Sequence, residues 1–231
     1  SGARSGLPHM GEGMDLGAGR QRMLLSQLAD GRFHSGEQLA LLLGISRTLV
    51  WREVELLRDA YALDIHAVRG RGYRLSQPLE LLQERRILEA LPAHQGELLR
   101  QLQLLLSVDS TSNHLLKQLP LDFDSGVVCC SEHQTAGRGR RGCSWVSPFG
   151  GSIYLSLYWR FDCGMTEVGG LSLAAGAVVA AVLSRYIHGV ALKWPNDVIV
   201  AGGKIAGILV YVQGSAEGPV DVIIGLGVNL R

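Results

Sequence analysis

A short run rich in glycine and arginine, QTAGRGRRGCSW at residues 134–145, has the composition of an anion-binding loop. Glycine lets backbone N–H groups close around negatively charged oxygens, and arginine adds a forked, positively charged donor. The run contains too few apolar side chains to build a core, so we expect a loop. It predicts phosphate binding, while an RNA-binding turn or a plain solvated loop would have a similar composition.

Lysine is scarce in this chain, and two of its three lysines lie close together. Nineteen arginines accompany them, so a single arginine is a weak sign of function. Lys193 and Lys204 are eleven residues apart and lie on either side of WPND at 194–197. This pair is a stronger sign of function than any single arginine. The alternatives are a simple turn in which Pro195 fixes φ, and a lysine whose stem covers apolar surface.

The composition limits the classes of protein that this chain can belong to. With 231 residues, 47% of them hydrophobic, it can form one large domain or two small ones. A net charge of +1 argues against nucleic-acid binding over the whole surface, and no apolar run is long enough to span a membrane. The four cysteines lack metal-site spacing, so we expect free thiols, a cytoplasmic location and no zinc site. Residues 1–19 read as a flexible, tag-like segment.

Residues 20–77 read as a winged helix-turn-helix domain. Ser35 followed by Gln38 is a capping-box signature, Gly44 predicts the end of that helix, and Ser46 can cap the next one. The segment 63–75 then predicts a β-hairpin. Nine arginines and six acidic residues make this part basic, which favours DNA binding over a protein-interaction domain. We expect the DNA contacts to come from Arg47, Thr48, Trp51, Arg52, Arg69 and Arg71.

The remainder of the chain predicts a linker helix at 78–92 and a second domain at 93–231. Strand-like runs occur at 101–110, 127–134, 152–161, 191–200, 204–213 and 221–230. The first run leads into a helix with Ser110 or Thr111 at its N-cap. The strongly apolar segment 169–187 predicts a helix that is buried along most of its length. Together these elements predict a mixed α/β domain built on a largely antiparallel sheet.

Five short motifs occur in a fixed order in this second domain. They are DST at 109–111, GRGRRG at 137–142, KWPNDV at 193–198, KIAGIL at 204–209 and GLGVN at 225–229. With the winged helix, this order closely resembles biotin protein ligase of the bifunctional bacterial type, which also represses the biotin operon. The resemblance implies an α+β chain in which a winged helix-turn-helix precedes a mixed α/β, class II synthetase-like catalytic domain. It also implies that the family's small C-terminal β-barrel is absent from these residues.

The resemblance implies a two-step reaction and a regulatory role. Biotin and ATP, with Mg²⁺, form biotinyl-5′-AMP, and the biotinyl group then passes to a lysine of the biotin carboxyl carrier domain of acetyl-CoA carboxylase. The same adenylate acts as corepressor, so that an adenylate-bound homodimer binds operator DNA. Two anions meet in the first step, which requires a positively charged, preorganised site.

The resemblance also assigns roles to individual residues. Lys204 and Arg140 are the expected catalytic residues. Biotin is expected to contact Ser110, Thr111, Gln134, Gly137, Arg138 and Gly207. ATP is expected to contact Arg140, Arg141, Trp145, Asn196, Asp197 and Asn229. Asp197 and Asn229 are also the expected Mg²⁺ ligands, because hard ions prefer oxygen.

Three positions depart from the family pattern, and two rival functions stay open. Ser112 replaces a usual asparagine, Cys143 a common basic residue, and Tyr211 a frequent glutamate; we expect these changes to tune affinity. One rival is a transcription repressor that binds a small effector without ligase activity. The other is a lipoate or octanoate ligase, which shares the acyl-adenylate chemistry.

Overall fold

The computed structural model describes residues 16–119 and 124–230. The chain forms two compact units that divide after Leu79, two residues beyond the predicted domain boundary. Residues 1–15 of the predicted flexible segment 1–19 lie outside the described residues. From Leu16 onward the chain is helical, so the first helix begins before the predicted start of the domain.

The first unit has the predicted order of three helices and a β-hairpin. The helices are α1 (Leu16–Leu28), α2 (Gly36–Leu43) and α3 (Arg47–Tyr61), and the strands are β1 (Ile65–Val68) and β2 (Gly72–Leu75). Leucines of α1 and the α3 residues Val50, Val54 and Leu57 are fully buried and form the core of this unit. This arrangement confirms the predicted winged helix-turn-helix.

The capping signals in the first unit are confirmed. Ser35 Oγ accepts from Gln38 N at 3.1 Å, while Gln38 Oε1 accepts from Ser35 N at 3.2 Å. Gly44 ends α2 in the left-handed conformation with φ 64°, which glycine adopts without a steric penalty. Ser46 caps α3 by accepting from Leu49 N at 3.2 Å. The sequence thus determines where both helices begin.

The predicted linker helix is shorter than expected. Only α4 (Glu84–Ala90) and the single turn α5 (Ala93–Gly96) are helical in this stretch. The chain ahead of α4 is held in another way, because the Glu132 carboxylate accepts from Leu82 N at 2.7 Å and Leu81 is buried. These tertiary contacts override the helical pattern of the sequence.

The second unit is built on one seven-stranded sheet. Its strands are β3 (Gln101–Leu105), β4 (Val127–Ser131), β5 (Ser152–Phe161), β6 (Val190–Lys193), β7 (Asp197–Val200), β8 (Gly203–Gly214) and β9 (Val220–Asn229). The spatial order is β3-β4-β5-β9-β8-β7-β6. Only β3 and β4 are parallel, so the predicted mixed, largely antiparallel domain is confirmed.

Two helices pack on opposite faces of this sheet. Helix α6 (Thr111–Gln118) buries Leu115 against Val127, Tyr158 and Ile223. Helix α7 (Leu171–Leu183) packs against a cluster that includes Ile208 and Val228. Because neighbouring side chains of a strand point to opposite faces, the odd-numbered residues of β9 face α6 and the even-numbered ones face α7.

The prediction that the apolar helix is buried along most of its length is wrong. Among the residues of α7, only Gly176 is buried, while Val178 and Val182 are 64% and 49% exposed. The helix packs one side on β6, β7 and β8, and its outward side stays exposed in the described part of the chain. Both sides of α7 are apolar in composition, so the sequence does not show which side packs against the sheet.

Candidate functional site

A cavity of about 470 Å³ opens on the α6 face of the sheet. It is bounded by the loop 134–145, the start of α6, the segment 194–197 and strands β8 and β9. Its floor consists of Gly207, Gly225 and Gly227, which are residues that bring no side chain to this face. The alternation in GLGVN is therefore explained: the glycines leave space on the cavity side, while Leu226 and Val228 fill the core beneath α7.

One end of the cavity is lined by a chain of hydroxyl and amide groups. Gln134 Oε1 accepts from Thr111 N at 2.9 Å, and Gln134 Nε2 donates to Ser147 Oγ at 3.0 Å. Ser156 Oγ lies 2.8 Å from Thr111 Oγ1 and 2.9 Å from Ser112 Oγ. Hydroxyls can donate and accept, so this end suits a small polar group that does both.

The other end of the cavity is positively charged. Lys204 Nζ lies 2.7 Å from Asp197 Oδ1 and 5.2 Å from the centroid of a Trp145 ring. Arg140 Nη1 donates to Asn196 Oδ1 at 2.9 Å, while Arg138 and Arg141 line the same cavity. The ion pair and the ring restrain the flexible Lys204 side chain, so its charge is positioned before a substrate arrives.

The Trp145 indole lies over the glycines of the floor. A Cβ atom at Gly227 would come within 2.7 Å of Trp145 Cε2, and one at Gly207 within 3.0 Å of Trp145 Cζ3. Trp145 Nε1 is buried and has no hydrogen-bond partner among the described residues. A flat aromatic ring at this position suits the stacking of a heteroaromatic base.

The glycine- and arginine-rich loop folds as a tight turn rather than an open coil. Gly139 N donates to Cys143 O at 2.8 Å, and Trp145 N donates to Gly137 O at 2.9 Å. Gly137 is buried, and a Cβ atom there would come within 2.7 Å of Ser147 Oγ. Glycine at 137 is therefore required by close packing, while Arg141 itself has φ 54° within the turn.

The cavity collects most of the residues that the sequence analysis singled out for catalysis and for binding biotin and ATP. Those that line it are Ser110, Thr111, Gln134, Arg138, Arg140, Arg141, Trp145, Asn196, Asp197, Lys204 and Gly207. Gly137 and Asn229 do not line it. Ser110 is the N-cap residue of α6, but its side chain makes no capping hydrogen bond.

Several residues of this site were not assigned a role from the sequence, among them two serines and a tryptophan. Ser156 of β5 lies at the bottom of the hydroxyl chain, and its position in register with Tyr154 and Tyr158 on an alternating strand was the available signal. Ser112 was noted only as a departure from the family, yet it is buried and lines the cavity. Trp194 is 79% exposed at the cavity mouth, and its place in the turn before Pro195 gave no such indication.

The two expected Mg²⁺ ligands differ in their fit to a metal ion. Asp197 presents a carboxylate in the cavity, next to Lys204. Asn229 Oδ1 instead lies 3.4 Å from the Ser152 hydroxyl, and its Nδ2 faces Lys204 O at 3.4 Å. No cluster of three or more His, Cys, Asp or Glu side chains occurs in the described ranges. Asp197 thus fits an ion whose other ligands come from the substrate and from water. The role of Asn229 as a Mg²⁺ ligand stays a prediction.

The cysteines supply no nucleophile to the cavity floor. Burial raises the pKa of both the Cys129 and the Cys130 thiols to about 12, so both stay protonated at neutral pH. All four cysteines are free. Of these, Cys143 lines the cavity, and it is exposed on the loop.

A separate groove of about 820 Å³ lies on the winged-helix unit. It is lined by the start of α2, by Arg47, Thr48 and Trp51 of α3 and by Arg69 of the hairpin turn. Trp51 is 51% exposed there, so it does not pack in the core. Arg52 and Arg71 are exposed but lie outside this groove. The groove brings together four of the six residues expected to contact DNA.

No helix in the described part of the chain is both long and apolar enough to cross a membrane.

Comparison with known proteins identifies both units. The biotin/lipoate A/B protein ligase family matches residues 104–229, and a helix-turn-helix (HTH) domain matches residues 20–74. The bifunctional ligase/repressor BirA of Salmonella typhimurium is 42% identical over 208 residues, which is 90% of this chain and 62% of that protein. BirA of Escherichia coli is 41% identical over 208 residues, which again cover 90% of this chain and 62% of that protein. The chain thus spans about 62% of the length of these relatives.

Among solved structures, biotin protein ligase from Leishmania major in complex with biotin is similar to the second unit. It has 27% sequence identity and a TM-score of 0.49, and the match covers 56% of each chain.

Proposed function

Because the chain belongs to the biotin/lipoate A/B protein ligase family, we propose that its cavity joins biotin to AMP and passes the biotinyl group to a carrier lysine. One observation carries the proposal. A single cavity has a neutral hydroxyl and amide end and, across a glycine floor, a cationic end with an aromatic ring. This arrangement matches the ureido head of biotin, its carboxylate and a nucleotide, in that order.

In the first step, an oxygen of the biotin carboxylate attacks the α-phosphorus of ATP, and pyrophosphate leaves. Thr111, Gln134 and Ser110 hold the ureido ring, and the glycines of the floor let Trp145 and Lys204 lie against the sheet, beside the valeryl chain. Lys204 lies where the carboxylate and the α-phosphate meet, so its charge offsets their repulsion and the charge that develops during transfer. Arg138, Arg140 and Arg141 bind the phosphate oxygens.

ATP is a substrate whose adenine stacks on Trp145 in this proposal, with Asn196 beside the nucleotide. Mg²⁺ carried in on the ATP phosphates would supply additional positive charge for the departure of pyrophosphate. Asp197 is the carboxylate of the cavity that can hold it, because Mg²⁺ is commonly bound by one or two carboxylates together with substrate phosphates.

In the second step, the unprotonated ε-amine of the carrier lysine attacks the carbonyl carbon of the mixed anhydride. An amide forms, AMP leaves, and the amine loses a proton. The expected acceptor is the biotin carboxyl carrier domain of acetyl-CoA carboxylase. Exposed Trp194 at the cavity mouth offers an apolar contact for the arriving domain.

Release of pyrophosphate from ATP tests the ligase proposal against both rivals. The release should depend on biotin and should not be supported by lipoate or octanoate. An effector-binding repressor without ligase activity would bind biotin and release no pyrophosphate. Preference for lipoate would instead favour the other branch of the family.

A second function, repression of the biotin synthesis genes, is favoured by the groove of the winged-helix unit. The groove combines Arg47, Thr48 and Trp51 on an exposed helix with Arg69 on the wing, as duplex DNA requires. Arg52 and Arg71 add positive charge outside it. Binding of duplex DNA by the full chain, weakened by Arg47→Gln, tests this proposal.

The adenylate-bound form is proposed to be a homodimer, and β8 offers an edge for pairing. β9 pairs with β8 from Ala206 to Gly214, whereas β7 pairs with β8 only as far as Gly207. Residues 209–213 therefore have no strand neighbour on one side among the described residues. An open strand edge is a template for strand addition. The free cysteines support a cytoplasmic location for this dimer.

A further inference from the structure

Two arginines of the wing stack on one aromatic ring outside the groove described above. The guanidinium carbon of Arg71 lies 4.1 Å from the centroid of the Phe33 ring, and that of Arg74 lies 4.9 Å from it. Both distances are within the range of a cation–π interaction. Arg71 belongs to the hairpin turn and Arg74 to β2, so the ring links two positions of the wing.

Phe33 is fixed next to the wing by its neighbour in the chain. His34 pairs with Tyr73 of β2 through two backbone hydrogen bonds of 2.9 Å, as a short third strand would. Gly72 makes this approach possible, because a Cβ atom there would collide with the His34 carbonyl. The backbone that carries Phe33 is therefore anchored beside the hairpin.

Neither stacked arginine is neutralised by a carboxylate in the described ranges. Elsewhere in this unit arginines are paired, as Arg20 is with Glu53 and Arg58 with Glu55. Arg74 Nε is buried and lacks a hydrogen-bond partner among the described residues. Stacking uses the flat face of a guanidinium and leaves the N–H groups at its edge free to bind an oxyanion.

We propose that Phe33 holds Arg71 and Arg74 as a clamp for phosphate groups of the duplex DNA backbone. The inference rests on the proposed DNA-binding function and adds two residues to it. Arg74 is a phosphate-binding residue, and Phe33 is a positioning residue that orders both arginines before DNA binds. Contacts to phosphate groups do not read the base sequence. The clamp therefore contributes to the affinity for DNA and to the register of the protein on the duplex, and not to the choice of operator.

Binding of the full chain to a short DNA duplex of arbitrary sequence, followed over a range of salt concentrations, tests the clamp. Arg74→Gln should weaken binding about tenfold at low salt and lower the salt slope by about 1, as expected for one lost phosphate contact. Arg85→Gln is the matched control, because it removes one exposed positive charge from α4 and should change neither quantity comparably. Equal effects of the two substitutions would overturn the proposal.

Phe33→Leu tests the positioning role, with circular dichroism confirming that the variant is folded. It should weaken binding when both arginines are present and add nothing in the Arg71→Gln/Arg74→Gln background. An undiminished effect of Phe33→Leu in that background would contradict positioning. Arg74→Gln tests the phosphate contact even if Phe33→Leu does not fold.

Two further outcomes separate the clamp from the DNA-binding proposal itself. If the unsubstituted chain binds no duplex, DNA binding fails and the clamp fails with it. If Arg47→Gln weakens binding but Arg74→Gln does not, DNA binding stands and the clamp is wrong. Binding of inorganic phosphate that Arg74→Gln abolishes, with duplex affinity unchanged, would also overturn the assignment to DNA.

Discussion

At the scale of single residues, the glycines of β8 and β9 determine what the cavity can hold. Their missing side chains let Trp145 lie directly over the sheet, and the ring in turn lies beside the Lys204 ammonium group. A nucleotide base and an acyl chain are flat or thin groups that such a floor admits. The chemistry of this site therefore depends on residues that carry no functional group.

Gly227→Ala should disturb nucleotide binding without disturbing the strand pairing. Its Cβ would come within 2.7 Å of Trp145 Cε2, so the ring has to shift. We expect at least a tenfold loss of affinity for ATP in the presence of biotin, or about 1.4 kcal/mol. Gly203→Ala is the control, because its nearest neighbour would be an ordinary 3.5 Å away. Unchanged affinity in Gly227→Ala, measured by titration calorimetry, would exclude Trp145 from the nucleotide site.

Lys204→Ala and Arg140→Ala should affect different steps. Loss of Lys204 removes charge at the reacting centre and should slow single-turnover adenylation by a factor of about 100 or more. Loss of Arg140 removes a contact from the exposed loop to Asn196, so the adenylate should dissociate faster. Lys193→Ala is the control, since this exposed lysine does not line the cavity. Identical defects in both steps would contradict separate roles.

The sequence motifs predicted which residues meet in the cavity better than how they contact one another. The family resemblance that the motifs carry had assigned ten of the cavity-lining residues to biotin or ATP, and Lys204 to catalysis. The pairing of Lys204 with Asp197 and the contact of Ser156 with Thr111 depend on strand register across the sheet. Local sequence patterns do not show which residues of two strands lie opposite each other, so these contacts could not be predicted from the sequence.

At the scale of elements, α6 connects the sheet to the hydroxyl end of the cavity. Asp109 stabilises the start of this helix, accepting from Ser110 N at 2.8 Å and from Lys117 Nζ at 2.9 Å. The hydrogen bond from Lys117 is the largest of the effects that lower the pKa of Asp109, and it outweighs the partial burial of the carboxyl group. Movement of α6 would carry Thr111 with it.

The lowered pKa of Asp109 predicts a pH-dependent contribution to stability. A depressed pKa in the folded state stabilises the protein above the ordinary value of 3.8, and this contribution is lost as the pH falls through the folded-state pKa. Asp109→Asn should therefore lower the melting temperature near neutral pH, and the difference should vanish in acid. Since both side chains are partly exposed, we expect at most about 1 kcal/mol.

Asp162→Asn is the matched control for this measurement, because Asp162 is an exposed acid outside α6. Thermal unfolding followed across the acid range tests the prediction. A difference between Asp109→Asn and the unsubstituted chain that persists at the lowest pH would show that charge is not the cause.

The elements themselves were predictable where local signals determine them. Caps and a glycine located both ends of α2 and the start of α3, and alternation located most strands of the sheet. The single run predicted at 191–200 instead forms two strands, β6 and β7. The errors arose where tertiary contacts decide. The Glu132 carboxylate holds Leu82 and thereby shortens the linker helix, and α7 is covered on one side only.

At the scale of the whole molecule, one adenylate is proposed to serve both units. When carrier protein is plentiful, the adenylate is consumed and the chain stays monomeric. When carrier is scarce, the adenylate persists, dimers form through the open edge of β8, and two winged helices reach a pseudo-palindromic operator. Two weak half-site contacts then act as one strong contact.

Biotin together with ATP should therefore raise both the dimer fraction and the affinity for operator DNA. Sedimentation measures the first quantity, and binding to a duplex selected from random DNA measures the second. Biotin alone and ATP alone are the controls. If the adenylate raises neither quantity, the switch is wrong, even if the ligase activity stands.

The central claim is that the cavity activates the carboxylate of biotin, and pyrophosphate release measures this most directly. The full chain is incubated with ATP and Mg²⁺, with biotin, with lipoate or with neither, and Lys204→Ala is run in parallel. We predict release that requires biotin, yields biotinyl-5′-AMP and falls by a factor of about 100 or more in the variant. Release that is independent of biotin, or equal with lipoate, or unchanged in Lys204→Ala, would contradict the account.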